Sequence, residues 1–322
     1  SSGAVMGDGT PITEVPSQPV LEDAPQDRED TFAMAEVYTP QTTVEYPTDD
    51  YRCFLIEPEP ALAGGYMTGW DFVNGDDILL GDVDGNGVDD GIEGRNTVVH
   101  HALLFVLKDD SAVQDAANRS ADATDGTGYT CYGGPLVNGE MVAGWVPGIG
   151  AVILPETTGI EIPANSKFVL QIHYYVAGDS YPDQTKVRLA MKNEVELPGD
   201  MVQLAQHDLE MPPGEESVLR TAQMDVPQNG QVWGVAPHMH GYGKNYQLVN
   251  SSGEGEQCIL EIPDWDFNWQ YFYFFDQGQS VSNGDVVEAR YYFDTRDAPD
   301  VIDWGESTED EMAISYIYVT GR

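Results

Sequence analysis

Basic residues are scarce in this chain. It has 14 Lys and Arg against 55 Asp and Glu in 322 residues, a formal charge of -41. That balance argues against nucleic acid and against anionic membrane surfaces as partners. It fits a secreted protein of a saline habitat, although acids in loops also simply face water. Long apolar runs are missing too: none reaches the roughly 18 residues a membrane-spanning helix needs, so no membrane insertion is expected. Cysteine is limited to Cys53, Cys131 and Cys258, none spaced as a zinc knuckle or a redox CxxC pair. An odd count allows one disulfide and one spare thiol. The chain starts at Ser1, which suggests a processed or recombinant start.

Helical periodicity is almost absent, with residues 110–118 the only short helix expected. Residues 1–45 are rich in Pro, Ser, Thr, Asp and Glu and read as an acidic, largely unstructured tail or linker. Beyond them, β-branched and aromatic runs alternate with Gly, Pro, Asn and Asp, as at 97–107, 166–176, 186–191, 231–236, 286–293 and 312–320. These are strand signals at sandwich-like spacing. The expected fold is all-β, with two tandem antiparallel β-sandwiches at 46–195 and 196–322.

Histidine is also sparse, and its distribution is not random. Five of the six form short clusters: His100-His101, His173, and His238-Met239-His240. Imidazole suits copper, and thioether selects Cu(I) in particular. His238 and His240 lie at i and i+2, so in a strand both rings share one face and Met239 points away. Adjacent His100 and His101 should point to opposite faces. They share a metal only at a strand end or bend, or through different ring nitrogens. His173 follows a buried-strand run, where a lone histidine is more often a core residue. His207 has no cluster partner and reads as a surface loop residue. Met312 alone is weak, since methionines usually fill cores.

Residues 82–93 fit the calcium pattern D-x-D-x-N-G-x5-E. Asp82, Asp84, Asn86, the Val88 carbonyl, Asp90 and Glu93 are the expected oxygen donors for one Ca2+. Without flanking helices the unit is closer to thrombospondin-type or dockerin-type loops than to an EF-hand.

Taken together, Val98-Val-His-His-Ala-Leu-Leu-Phe105, Phe168-Val-Leu-Gln-Ile-His-Tyr174, His238-Met-His-Gly-Tyr-Gly-Lys244 and Gly305-Glu-Ser-Thr-Glu-Asp-Glu-Met312 resemble the copper type II, ascorbate-dependent monooxygenases. The resemblance runs from about residue 50 to 319. It implies two sandwiches of eight to nine strands, each holding one copper. His100, His101 and His173 would form the electron-transfer site. His238, His240 and Met312 would form the site that meets O2 and hydroxylates substrate, with Tyr316 beside it. Ascorbate or another one-electron reductant would supply electrons. The resemblance also implies a Cys53–Cys131 bridge that leaves Cys258 alone. Where peptidylglycine enzymes hold the substrate carboxylate with Arg and Asn, this chain has Ala236 and Ile314, so that anchor looks lost. The competing reading is a non-catalytic extracellular copper- and calcium-binding module on the same fold.

Overall fold

The computed structural model describes residues 5–6, 19–44, 46–73, 98–124, 127–146, 149–176, 180–267, 270–307 and 310–321. The chain divides into two compact units, one of residues 18–195 and one of residues 196–322 together with 1–17. The described residues are mostly antiparallel strand, as the turn-punctuated apolar runs require.

In the unit of residues 18–195, one sheet runs in the order Tyr129–Thr130, Asp49–Ile56, Phe168–Tyr175, Val99–Leu107, Gly139–Trp145. The facing strands are Thr158–Ile162, Gly65–Val73, Lys186–Lys192 and Arg28–Ala33, with Val152–Ile153 on Gly65–Val73. Phe168–Tyr175 is central and buried along nearly its whole length, which is why it is mostly apolar, with Gln171 and His173 as its buried polar residues. The two sheets meet through the stacked rings of Phe32 and Phe168, 4.9 Å apart, and through Trp70, whose Nε1 donates to Gly144 O at 2.8 Å. Cys53 and Cys131 form a disulfide that closes a separation of 78 residues. Among the described residues Cys258 is the free cysteine.

Two details differ from the sequence reading. The polar segment 19–44 is not all tail. Arg28–Ala33 pairs with Lys186–Lys192, and Phe32 is buried in the core while Glu29 and Thr31 are exposed. The short helix is longer than 110–118, running Asp110–Asp122; Asp109 caps it by accepting from the Ala112 amide at 2.9 Å.

In the other unit, one sheet runs Val5–Met6, Gly255–Ile262, Gly243–Ser252, Val286–Phe293, Val218–Asp225. The facing strands are Tyr273–Val281, Gly230–His238, Ile314–Thr320 and Leu197–Ala205. Val286–Phe293 alternates strictly between half-buried and buried, the signature of a strand with one face on a core. The core includes Val235, Tyr246, Leu248, Tyr291 and Ile317. One polar knot within it is hydrogen-bonded: the hydroxyls of Tyr246 and Tyr291 each lie 2.8 Å from Ser315 Oγ. Met239 is fully buried in this core, so it faces away from its two histidine neighbours.

Candidate metal centres

The first cluster sits where two central strands pair. His173 lies opposite His101, and the next registered pair is Tyr174 with Val99. His100 is therefore an extra residue, a β-bulge. A bulge turns its extra side chain out of strict alternation. That is how two adjacent histidines serve one place. Ring nitrogens of His100, His101 and His173 lie within 4.8 Å of one another, and the Nδ1 atoms of His100 and His101 are 3.4 Å apart. Two nitrogens held at about 2.0–2.1 Å by one ion sit roughly 3.3–3.6 Å apart, so the arrangement suits a small transition-metal ion. His173 Nε2 is 2.8 Å from Asp49 Oδ1, with both residues buried. A metal here would be met by His173 Nδ1, with Asp49 fixing the ring from behind.

Tyr51 lies opposite His173 on the next strand and stacks on its ring at 4.0 Å, 11° from parallel. Asp49 and Tyr51 had no distinguishing mark in the sequence. Their roles come from the register of Asp49–Ile56 against Phe168–Tyr175.

The second cluster begins where Gly230–His238 ends. His238 lies opposite Ile314, and Met312 is two residues before Ile314. The rings of His238 and His240 are 5.1 Å apart at 86°. His238 Nδ1–H donates to Gln270 Oε1 at 2.6 Å, and His240 Nδ1–H donates to the Asp310 carbonyl at 3.1 Å. Both bonds engage Nδ1, so a metal here would be met by Nε2, the opposite nitrogen from the first cluster. Burial, with His240 adding to it, pushes His238 down to about 3, which keeps the ring neutral and able to ligate.

Glu311 binds this cluster together. It is fully buried, and its carboxylate accepts from the amides of His240, Met312 and Tyr242, the last two at 2.8 and 2.9 Å. Burial raises its carboxyl to about 7 despite those three bonds. Its position next to Met312 was legible; its role was not, because it is one acid among many.

The face that carries His238 has no cation on it among its registered residues. Ala236 lies opposite Tyr316, and Gly234 lies opposite Tyr318 and Phe274. A Cβ at Gly234 would stand 2.6 Å from Phe272 and 2.7 Å from Phe274, so only glycine lets that stacked ring pair lie on the strand. Tyr316 accepts from Gln203 Nε2 at 3.2 Å, and burial pushes its hydroxyl up to about 12. His207 is exposed in a loop, its ring 4.1 Å from Trp304. The expected calcium donors, Asp82, Asp84, Asn86, Val88, Asp90 and Glu93, lie outside the described residues.

Residues 205–320 match the family model of the copper type II ascorbate-dependent monooxygenase C-terminal domain. The human DBH-like monooxygenase protein 1 is 24% identical over 257 residues, covering 70% of this chain and 39% of that protein. The mouse protein of the same name is 35% identical over 97 residues, covering 29% of this chain and 15% of its own length. These matches support the copper type II, ascorbate-dependent monooxygenase family for this chain. The chain spans well under half the length of either relative. Among solved structures, the infectious bursal disease virus VP2 particle aligns at a TM-score of 0.22 and 9% identity, covering 94% of this chain and 74% of that one. That similarity is too low to carry an argument.

Proposed function

We propose that the chain is a copper-dependent monooxygenase that hydroxylates a C–H bond of a neutral, partly apolar substrate with O2 and an external one-electron reductant such as ascorbate. The observation that carries this reading is the convergence of three histidines from two paired strands, His100, His101 and His173, on a space one ion would fill. A second His-rich centre in the other unit, with Met312 adjoining, supports it. Copper bound at these sites supplies one-electron chemistry and O2 activation, one oxygen atom entering the substrate and the other leaving as water.

The residues divide the work. Asp49 holds His173 by Nε2 and so offers Nδ1. Gln270 and Asp310 hold His238 and His240 by Nδ1 and so offer Nε2. Glu311 fixes the His240 and Met312 backbones through one carboxylate. Met312 adds the soft sulfur that favours Cu(I). The face formed by Ala236, Tyr316, Tyr318 and Phe274 offers rings and a neutral hydroxyl instead of a cation. Among the described residues a substrate carboxylate would meet the Tyr316 hydroxyl there but no cation, which argues against a peptidylglycine substrate.

The disulfide fits an oxidising compartment, in keeping with secretion. Among the described residues no helix is long and apolar enough to cross a membrane. Residues 82–93 are assigned to Ca2+ from their sequence pattern. Calcium should raise the melting temperature of the wild type but not of Asp84→Ala, and equal shifts would remove that assignment.

The functional test is oxygen uptake by the copper-loaded chain with ascorbate and a panel of neutral aromatic amines, amides and alcohols, beside carboxylate-terminated analogues. The neutral compounds should stimulate uptake and acquire label from 18O2. Stimulation by the carboxylates alone would overturn the substrate reading, and copper-independent uptake would overturn the activity.

A further inference from the structure

The His100/His101/His173 centre lies at the inner end of a run of tyrosines. Tyr51 stacks on His173 at 4.0 Å and 11°. Tyr132 leans on Tyr51 at 5.1 Å and 48°, and Tyr46 stacks on Tyr132 at 4.2 Å and 24°. Burial falls along the series: Tyr51 is 2% exposed, whereas Tyr132 and Tyr46 are both partly exposed. The rings come from separate stretches of chain, so sequence proximity does not explain their contact. Tyr51 is on the Asp49–Ile56 strand, Tyr132 follows Cys131, and Tyr46 lies in a turn where its amide bonds Thr43 Oγ1 at 3.0 Å.

The disulfide clamps the middle of this series. Cys53 is two residues after Tyr51, and Cys131 immediately precedes Tyr132. The Cys131 amide donates to Tyr51 O at 3.0 Å, and the Tyr132 hydroxyl donates to Asp49 O at 3.4 Å. Asp49 is the residue that holds His173. One covalent bridge and three hydrogen bonds thus hold Tyr132, Tyr51 and His173 in a common frame, with Tyr46 stacked on its outer end. A core packed only for volume has no need of a ladder of three tyrosines that starts at solvent and ends flat against a ligand ring.

We propose that Tyr46, Tyr132 and Tyr51 form the entry route for electrons to the copper centre at His100, His101 and His173. The proposal rests on the copper reading of that centre. A one-electron reductant of the ascorbate class meets the partly exposed Tyr46–Tyr132 end. It loses one electron and a proton to solvent, and the electron passes through the ring contacts to reduce one Cu(II) to Cu(I). The tyrosines gain and lose nothing overall. They act through ring contact, so the electron needs the rings, and the Tyr132 hydroxyl adds only a long hydrogen bond to the frame.

The test is the rate at which ascorbate reduces the copper-loaded full chain under nitrogen, read as loss of the Cu(II) signal in freeze-quenched electron paramagnetic resonance. Tyr132→Leu should slow the phase belonging to this centre about tenfold or more while copper content is kept. Tyr132→Phe should retain the wild-type rate. Tyr46→Leu, at the outer end and clear of the disulfide, should slow the same phase and covers the case in which Tyr132→Leu does not fold. Wild-type rates in Tyr132→Leu or Tyr46→Leu with copper in place overturn the route, and so does slowing by Tyr132→Phe equal to that by Tyr132→Leu. Absence of copper at this centre in the wild type would instead overturn the underlying copper reading.

Discussion

The carboxylate of Asp49 holds the ring of His173 from behind, Oδ1 to Nε2 at 2.8 Å, with both side chains at most 3% exposed. The contact spans 124 residues of sequence and exists because Tyr175 is in register with Asp49 across two paired strands. A buried carboxylate on the far nitrogen fixes the ring's tautomer and direction and raises its basicity toward a metal.

Asp49→Asn should therefore weaken copper at the first centre by roughly tenfold to a hundredfold, the usual effect of losing such a partner. The second centre should be unchanged. Competition titration with a chelator of known affinity checks this, and equal affinities in wild type and variant would show that Asp49 is only a packing residue.

Glu311→Gln should loosen the second centre alone. The carboxylate accepts from three amides, and a glutamine can offer an oxygen to two of them while its NH2 confronts the third. Leaving one buried donor unmatched costs about 1–3 kcal/mol. The unit of residues 196–322 should melt earlier, and copper affinity should fall at His238 and His240 but not at His173. Calorimetry of apo and copper-loaded protein reads both, and a drop confined to the first centre would contradict the assignment.

Replacing Cys53 and Cys131 together by serine releases a constraint across 78 residues. Chain-entropy estimates put its worth at roughly 4 kcal/mol. The loss should appear in the unfolding transition of residues 18–195, with the other transition unmoved. Chemical denaturation followed by tryptophan fluorescence separates the two, and an unchanged midpoint would mean the bridge does little for stability.

Much of the centre was legible from residue type alone, because histidine is rare here and five of the six cluster in three places. The sheets were legible from alternation and turns, as in Val286–Phe293. The joint use of His100 and His101 was not: it depends on a bulge that exists only in the pairing of Val99–Leu107 with Phe168–Tyr175. Asp49 and Glu311 were hidden for a different reason. Their chemistry is ordinary among 55 acids, and only burial and register single them out. Arg28–Ala33 was hidden by composition, since an edge strand with one core residue, Phe32, looks polar throughout.

Two functional coppers, one of them dependent on Met312, form the central claim, and oxygen uptake with counted copper tests it most directly. Met312 is 5% exposed at the head of Ile314–Thr320, and Met312→Ile nearly conserves volume, so stability should fall by less than about 1.5 kcal/mol. Wild type should hold two coppers per chain and consume O2 with ascorbate. Met312→Ile should stay folded, keep the copper at His100, His101 and His173, and lose ascorbate-driven consumption. A single copper in wild type, or undiminished consumption in Met312→Ile, would contradict it.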